Sequence, residues 1–171
     1  MFSNAIAFFL VLSLTIFNAT AQYQYKPRWS PLEEGVYTIV SRSHFDLGVQ
    51  TPGLVQQPVV GTHDNTPPQT WNIVPFEGGY TIQSVEGTGF AFVEPDAKKG
   101  DLVNTCEKAT TWTISPVGDF FFIKFNNLAW RVDPRPKPVY SVSTRQMAAP
   151  RTVSLQPPGL FVNQQLNITR Q

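Results

Sequence analysis

A phrase that recurs along the chain constrains the fold more than any other feature of the sequence. Each copy opens with a Tyr-Thr-Ile-like run and closes with a Trp-x-Ile-like run, at intervals of roughly 40 residues. The opening weakens to Phe-Phe-Phe-Ile and the closing to Leu-Asn-Ile in the third copy. Six residues mark the openings and closings: Ile39, Ile82, Ile123, Trp71, Trp112 and Leu166. A period of this length indicates a fold built from three similar units.

Each unit contains four short extended runs separated by turn residues. No sustained apolar pattern of helical period follows the N-terminal segment. The sequence therefore predicts an all-β fold, a β-trefoil of twelve strands in three pseudo-repeats of four, over residues 32–171. A sandwich is the alternative, but it would not explain three equal copies. The predicted strands are 36–41, 45–50, 58–62, 70–74, 80–84, 89–94, 101–105, 111–115, 120–125, 129–133, 152–156 and 165–169.

Alternation within these runs predicts the core, because side chains of a strand point to opposite faces in turn. Aromatic residues make up 13% of the chain, and most are expected to be structural. The predicted inward residues of the first, second and fourth strands of the units are Tyr37, Ile39, Tyr80, Ile82, Phe121, Ile123; Leu47, Val49, Phe90, Phe92, Trp130, Val132; and Trp71, Ile73, Trp112, Ile114, Leu166, Ile168.

The N-terminal residues 1–21 differ from the rest of the chain. An apolar run over 5–17 precedes the small residues Ala19 and Ala21. This pattern predicts a secretory signal peptide, cleavage after Ala21 and a secreted protein, because the run is short for a membrane span. Residues 22–31 are predicted to be an irregular lead-in.

Charge and reactive residues exclude several function classes. A net charge of +1 with scattered basic residues argues against nucleic acid and membrane surfaces as partners. Cys106 is the only cysteine, so no intrachain disulfide is possible. His44 and His63 are the only histidines, and neither belongs to a metal-binding or nucleophile motif. We therefore expect a monomer that is not an enzyme and has no metal or cofactor.

The third unit is longer than the others by about a dozen residues, located between 133 and 152. Long loops on a compact scaffold are often functional. Arg145 and Gln146 lie in the middle of this inserted segment.

The repeated phrases and the C-terminal Pro-Pro-Gly-x-x-x-Asn-Gln-Gln-Leu-Asn-Ile sequence resemble fungal β-trefoil serine protease inhibitors of the cospin and cnispin type. The resemblance covers roughly 32–171, and its scaffold motifs are shared in outline with ricin B-type lectins. It implies a secreted, cofactor-free inhibitor of a trypsin-like protease. Members of the family use different loops, so the resemblance transfers no single inhibitory residue.

Inhibition of this kind requires an exposed, preorganised loop that enters a protease cleft. Two loops suggested by the resemblance, 51–57 and 157–163, contain no basic residue for a trypsin-like pocket. Leu54 in the first of them would suit a chymotrypsin- or subtilisin-like protease instead. The inserted segment offers Arg145, followed by Gln146, and Lys99 is a further basic candidate.

The alternative is a ricin B-like carbohydrate-binding module. Such a site combines an Asp near the second strand, an aromatic platform and an Asn-Gln pair before the closing aromatic residue. Asp46 could supply the first element in unit one, where the Asn-Gln pair is missing. The third unit fits best, with these candidates: Asp133, Trp130, Asn163 and Gln164. A trefoil with some other loop-mediated partner is the third possibility.

Overall fold

The computed structural model describes residues 30–51, 53–54, 56–63, 68–87, 89–134 and 150–171. Residues Pro31–Gln171 form one compact unit. The predicted signal peptide, all of the lead-in up to residue 29, and the candidates Arg145 and Gln146 lie outside the described residues.

The described residues form twelve antiparallel strands, the number that the sequence predicts, and their bounds lie close to the predicted ones. They are β1 Gly35–Ser41, β2 Asp46–Val49, β3 Val59–Thr62, β4 Thr70–Phe76, β5 Gly79–Ser84, β6 Phe90–Phe92, β7 Asn104–Cys106, β8 Thr113–Val117, β9 Phe120–Phe125, β10 Leu128–Val132, β11 Arg151–Gln156 and β12 Leu166–Arg170. Across this described portion, no helix is long and apolar enough to cross a membrane.

Six of the strands form a closed barrel. β1 pairs with β4, β4 with β5, β8 with β9, β9 with β12, and β12 returns to β1. The remaining contact, β5 with β8, is made by a bridge between Tyr80 and Trp112. Closure leaves the barrel without free edges, which would otherwise template aggregation.

Three hairpins, β2–β3, β6–β7 and β10–β11, cap one end of this barrel. Their outer strands meet one another in pairs, through Pro58 with Asn104, Leu102 with Ser154, and Thr152 with Val60. Each unit thus contributes two barrel strands and one hairpin. This arrangement is a β-trefoil, and the predicted fold class is confirmed.

Three buried tryptophans occupy the core. The indole Nε1 of Trp71 donates to the carbonyl oxygen of Leu47 at 2.8 Å, and that of Trp112 donates to Ala91 at 3.0 Å. The repeated bond identifies Leu47 and Ala91 as equivalent positions. Trp130 lies at the matching position of unit three, edge-on to Trp71 and Trp112 with ring centroids 6.5 and 5.1 Å apart.

The predicted inward face of the second strand in unit two is wrong by one residue. Ala91 and Val93 are buried there, whereas Phe90 and Phe92 are only half-buried. A shift of one residue moves every side chain of a strand to the opposite face. The small Ala91 faces inward because the large indole of Trp112 occupies this part of the core and bonds to its carbonyl. Tyr80 and Ile114, also predicted inward, are half-buried.

Candidate functional site

The loop between β2 and β3 is held by a buried glutamine. Gln57 Oε1 accepts a hydrogen bond from the amide of Thr51 at 2.7 Å, and Nε2 donates to the carbonyl oxygens of Thr51 at 2.6 Å and Leu54 at 2.8 Å. The side chain of Gln57 is 7% exposed, whereas that of Leu54 is 56% exposed. The hydrogen bond to its carbonyl therefore fixes the backbone at Leu54, one of the predicted protease-binding residues, whose side chain is exposed.

The loop before β12 is also held by a buried glutamine side chain. Gln164 is fully buried, and its Nε2 donates to the carbonyl oxygen of Pro157 at 3.0 Å. Its backbone amide bonds to the carbonyl of Phe161 at 2.9 Å. Three consecutive apolar side chains at the tip are exposed: Leu160, Phe161 and Val162.

The carbohydrate-binding residues predicted in unit three are only partly available to a ligand. Trp130 and Gln164 are fully buried, so neither contacts solvent, which corrects their assignment as a sugar platform and a sugar-binding amide. Asp133 Oδ1 and Oδ2 accept hydrogen bonds from Ser154 at 2.7 Å and Thr152 at 2.8 Å. Asn163 is half-buried, and its Nδ2 donates to the carbonyl of Val132 at 2.6 Å.

Lys99 is exposed in the turn between β6 and β7. That turn is fixed by hydrogen bonds from Gly100 to the carbonyl of Leu155 and from the amide of Lys98 to Asp101 Oδ2. Lys99 therefore lies on a rigid turn, away from the two glutamine-held loops in the sequence.

A cleft that sequence reasoning missed lies where the β1–β2 turn, the end of β10, the start of β11 and the loop before β12 come together. Its volume is about 420 Å³. We call it the arginine cleft, and its lining includes Phe45, Arg131, Arg151, Phe161, Val162 and Asn163. Strand alternation places Arg131 on the face opposite the buried Trp130, and this was the one local sign of the cleft in the sequence. Most other residues of the lining are distant from Arg131 in the sequence.

The two arginines of the cleft are held differently. The guanidinium carbon of Arg151 lies 4.5 Å from the ring centroid of Phe45, and its Nη1 donates to the carbonyl of Pro134 at 2.9 Å. Nε of Arg131 is buried and has no hydrogen-bond partner among the described residues. The guanidinium of Arg151 is therefore held in place, whereas that of Arg131 has a buried N–H donor without a partner among the described residues.

A second group of polar residues surrounds Phe45 in unit one. The ring of His63 packs on Phe45 with centroids 3.7 Å apart, and its Nδ1 lies 3.1 Å from the carbonyl oxygen of His44. Burial raises the pKa of Asp46, and the nearby charge of His63 opposes that shift. Within the described ranges, no group of three or more side chains could hold a metal ion.

Comparison with known proteins identifies the architecture. No family model matches the sequence, and no curated protein matches it. A designed threefold-symmetric protein, ThreeFoil, superposes with a TM-score of 0.64 at 15% identity, covering 80% of this chain and 99% of its own. The fold is a β-trefoil.

Two natural proteins share this β-trefoil. The ricin B-like lectin of Macrolepiota procera, solved in complex with lactose, has a TM-score of 0.63 at 14% identity, covering 84% of this chain and 100% of the lectin. A mosquitocidal holotoxin has a TM-score of 0.63 at 11% identity over 82% of this chain, which spans only 18% of the toxin. Identities this low establish a common fold and no more.

Proposed function

We propose that this chain is a carbohydrate-binding protein, not an enzyme, and that its sugar site is the arginine cleft. The observation that carries the proposal is the cleft itself, in which the exposed ring of Phe161 stands beside the polar side chains of Arg131, Arg151 and Asn163. Its volume of about 420 Å³ falls among those of small-ligand sites, which combine apolar walls with a few polar groups.

Chemically, the cleft offers both kinds of contact that a sugar needs. The face of Phe161 can pack against the apolar C–H face of a sugar ring, and the guanidinium groups can donate to its oxygens. Most of the lining of the cleft comes from unit three, and it includes Asn163, one of the residues that the sequence nominates. The lactose-bound lectin among the fold neighbours adds support from outside the chain.

A glycan array probed with the secreted chain tests this proposal. We expect selective binding that is lost in Phe161→Ser and retained in Phe76→Ser, because both rings are exposed but only Phe161 lines the cleft. An array on which the unmodified protein binds nothing would contradict the proposal.

Serine protease inhibition is the second candidate, and the glutamine-held β2–β3 loop favours it. An inhibitor loop gains affinity when its bound conformation is already present, because less entropy is lost on binding. The Gln57 side chain accepts one hydrogen bond and donates two, which gives the described part of this loop such rigidity, and the side chain of Leu54 is exposed. We propose that Leu54 enters the apolar specificity pocket of a chymotrypsin- or subtilisin-like protease.

The test is residual activity of trypsin, chymotrypsin and subtilisin against increasing amounts of the protein. We expect stoichiometric inhibition of chymotrypsin or subtilisin, its loss in Leu54→Asp, and transfer of inhibition to trypsin in Leu54→Arg. Leu160→Asp is the matched variant for the other glutamine-held loop. Full activity of all three proteases at excess protein would exclude this candidate.

Either function is proposed to operate outside the cell, after cleavage following Ala21. N-terminal sequencing of the secreted protein should return a chain beginning at Gln22. Retention of the unprocessed chain inside the cell would contradict this.

A further inference from the structure

We infer that the arginine cleft takes a sugar that carries a carboxylate group. This inference rests on the proposed carbohydrate-binding function and specifies its ligand class. It follows from the balance of hydrogen-bond donors and acceptors around the cleft, from how its two guanidinium groups are held, and from the local charge of the cleft.

The polar side chains of the cleft are mainly donors. An arginine carries five N–H donors and no acceptor, and two arginines line the cleft beside Ser43 and Asn163. Among the described lining residues there is no Asp or Glu. Asp133 follows Val132 in the chain, but both of its carboxylate oxygens accept hydroxyl groups of Thr152 and Ser154. A ligand rich in acceptors complements this lining better than neutral hydroxyl groups do.

The position of the Arg151 guanidinium suits the binding of a planar anion. Its guanidinium lies over the ring of Phe45, and one of its donors is used by the carbonyl of Pro134. The other donors have no partner among the described residues. A fixed guanidinium pairs with a carboxylate through two parallel hydrogen bonds, and it loses little freedom when it does so.

Arg131 supplies a second reason. A buried donor without a partner is costly, and native structures rarely leave one unmet. Nε of Arg131 is such a donor within the described residues, and its side chain lines the cleft. Because this Nε is enclosed by protein, an anion in the cleft would compensate the charge of the Arg131 guanidinium without contacting Nε itself.

The positive charge of the cleft is local, since Arg131 and Arg151 both line it. Since the whole chain has a net charge of only +1, an anion would be attracted by the local charge of the cleft and not by the overall charge.

Calorimetric titration of the full chain with three matched sugars tests the inference. The probes share a pyranose ring: methyl glucuronide carries a planar carboxylate, methyl glucoside is neutral, and glucose 6-sulfate carries a tetrahedral sulfate with the same single negative charge. We expect the glucuronide to bind at least about tenfold more tightly than the glucoside, because hydrogen bonds to a charged group are stronger than those to a neutral one. Its affinity should also fall as salt concentration rises.

Variants assign the effect to the cleft. Arg131→Gln and Arg151→Gln should each remove about tenfold in glucuronide affinity or more, whereas Arg170→Gln, outside the cleft, should not. Arg151→Lys keeps the charge but not the planar fork, so its loss should be intermediate. Thermal unfolding of every variant confirms that it is folded before its affinity is interpreted.

The outcomes separate this inference from the function on which it rests. Equal binding of glucuronide and glucoside would overturn the carboxylate assignment while the carbohydrate proposal stands. Equal binding of sulfate and glucuronide would show that the cleft selects charge without selecting a planar group, and it too would overturn the assignment. If no sugar binds and the glycan array is silent, both proposals fail.

Discussion

Among single residues, the three core tryptophans have unequal bonding. Nε1 of Trp71 and Trp112 each donates to a strand carbonyl, whereas Nε1 of Trp130 has no partner in the described part of the protein. A buried donor left without a partner costs roughly 1–3 kcal/mol. Equal burial therefore conceals different contributions to stability.

Replacing each tryptophan by phenylalanine exposes this difference. Trp71→Phe and Trp112→Phe lose a hydrogen bond to a strand carbonyl, whereas Trp130→Phe removes an unmet donor. We expect Trp130→Phe to reduce the free energy of unfolding by about 1–3 kcal/mol less than either of the others. Urea unfolding monitored by circular dichroism measures all three. Equal losses would mean that ring volume alone decides.

Asp46 gives a pH-dependent prediction. Burial raises its pKa above 3.8 in the folded protein, so the folded state holds the proton more tightly than the unfolded state. The contribution of Asp46 to stability is then greatest at low pH, and it falls as pH rises from about 3.8 through the raised pKa. Asp46→Asn should therefore gain stability relative to the unmodified protein across that window.

The measurement is the free energy of unfolding as a function of pH for both proteins. Asp96→Asn, which changes an exposed carboxyl in the β6–β7 turn, is the control. A difference between Asp46→Asn and the unmodified protein that does not change with pH would contradict the assignment.

At the scale of elements, polar side chains inside the protein shape the loops. Gln57 and Gln164 are buried because the backbones of their loops need partners, and each glutamine bonds to loop carbonyls. Local sequence patterns favour the surface for glutamine, so neither brace could be predicted. Strand positions were predictable because alternation and turn residues are local signals. The inward face of β6 was not predictable, because it depends on Trp112, which is distant in the sequence and donates to the carbonyl oxygen of Ala91.

Removing the Gln57 side chain should make the β2–β3 loop more mobile and leave the overall fold intact. Gln57→Ala deletes the partner of the Thr51 amide, so we expect faster hydrogen exchange there and a loss of about 1–3 kcal/mol in the free energy of unfolding. Gln56→Ala changes an exposed neighbour and should stay within about 0.5 kcal/mol of the unmodified protein. Unaltered exchange at Thr51 in Gln57→Ala would show that other contacts hold the loop.

For the whole molecule, barrel closure depends on the last strand. β12 pairs with β1 from Ser41 to Tyr37 and with β9 at Phe121, and it buries Leu166 and Ile168. The trefoil and its three units could be predicted because the same opening and closing phrases recur along the sequence. The arginine cleft could not, since its lining comes from residues 43, 45, 131, 132, 134, 151 and 161–163, which only the folded chain brings together.

Truncation tests the role of β12. Removal of residues 166–171 opens the barrel between β1 and β9 and leaves two unpaired edges, so we expect loss of cooperative thermal unfolding and increased aggregation. Removal of Gln171 alone costs the backbone bond from Gln171 to Val36 and should leave a cooperative transition. A truncated chain that still unfolds cooperatively near the original temperature would contradict this role.

The placement of Trp130 also means that the three units are not interchangeable. Units one and two carry their large ring on the fourth strand or directly before it, at Trp71 and Trp112, and Leu47 and Ala91 lie on the second strand. Unit three has Trp130 on its second strand and Leu166 on its fourth. The volumes at positions 130 and 166 are therefore coupled: Trp130→Leu alone would leave a cavity, and Leu166→Trp alone would overfill the core. A version of this chain with three identical units needs both positions changed together.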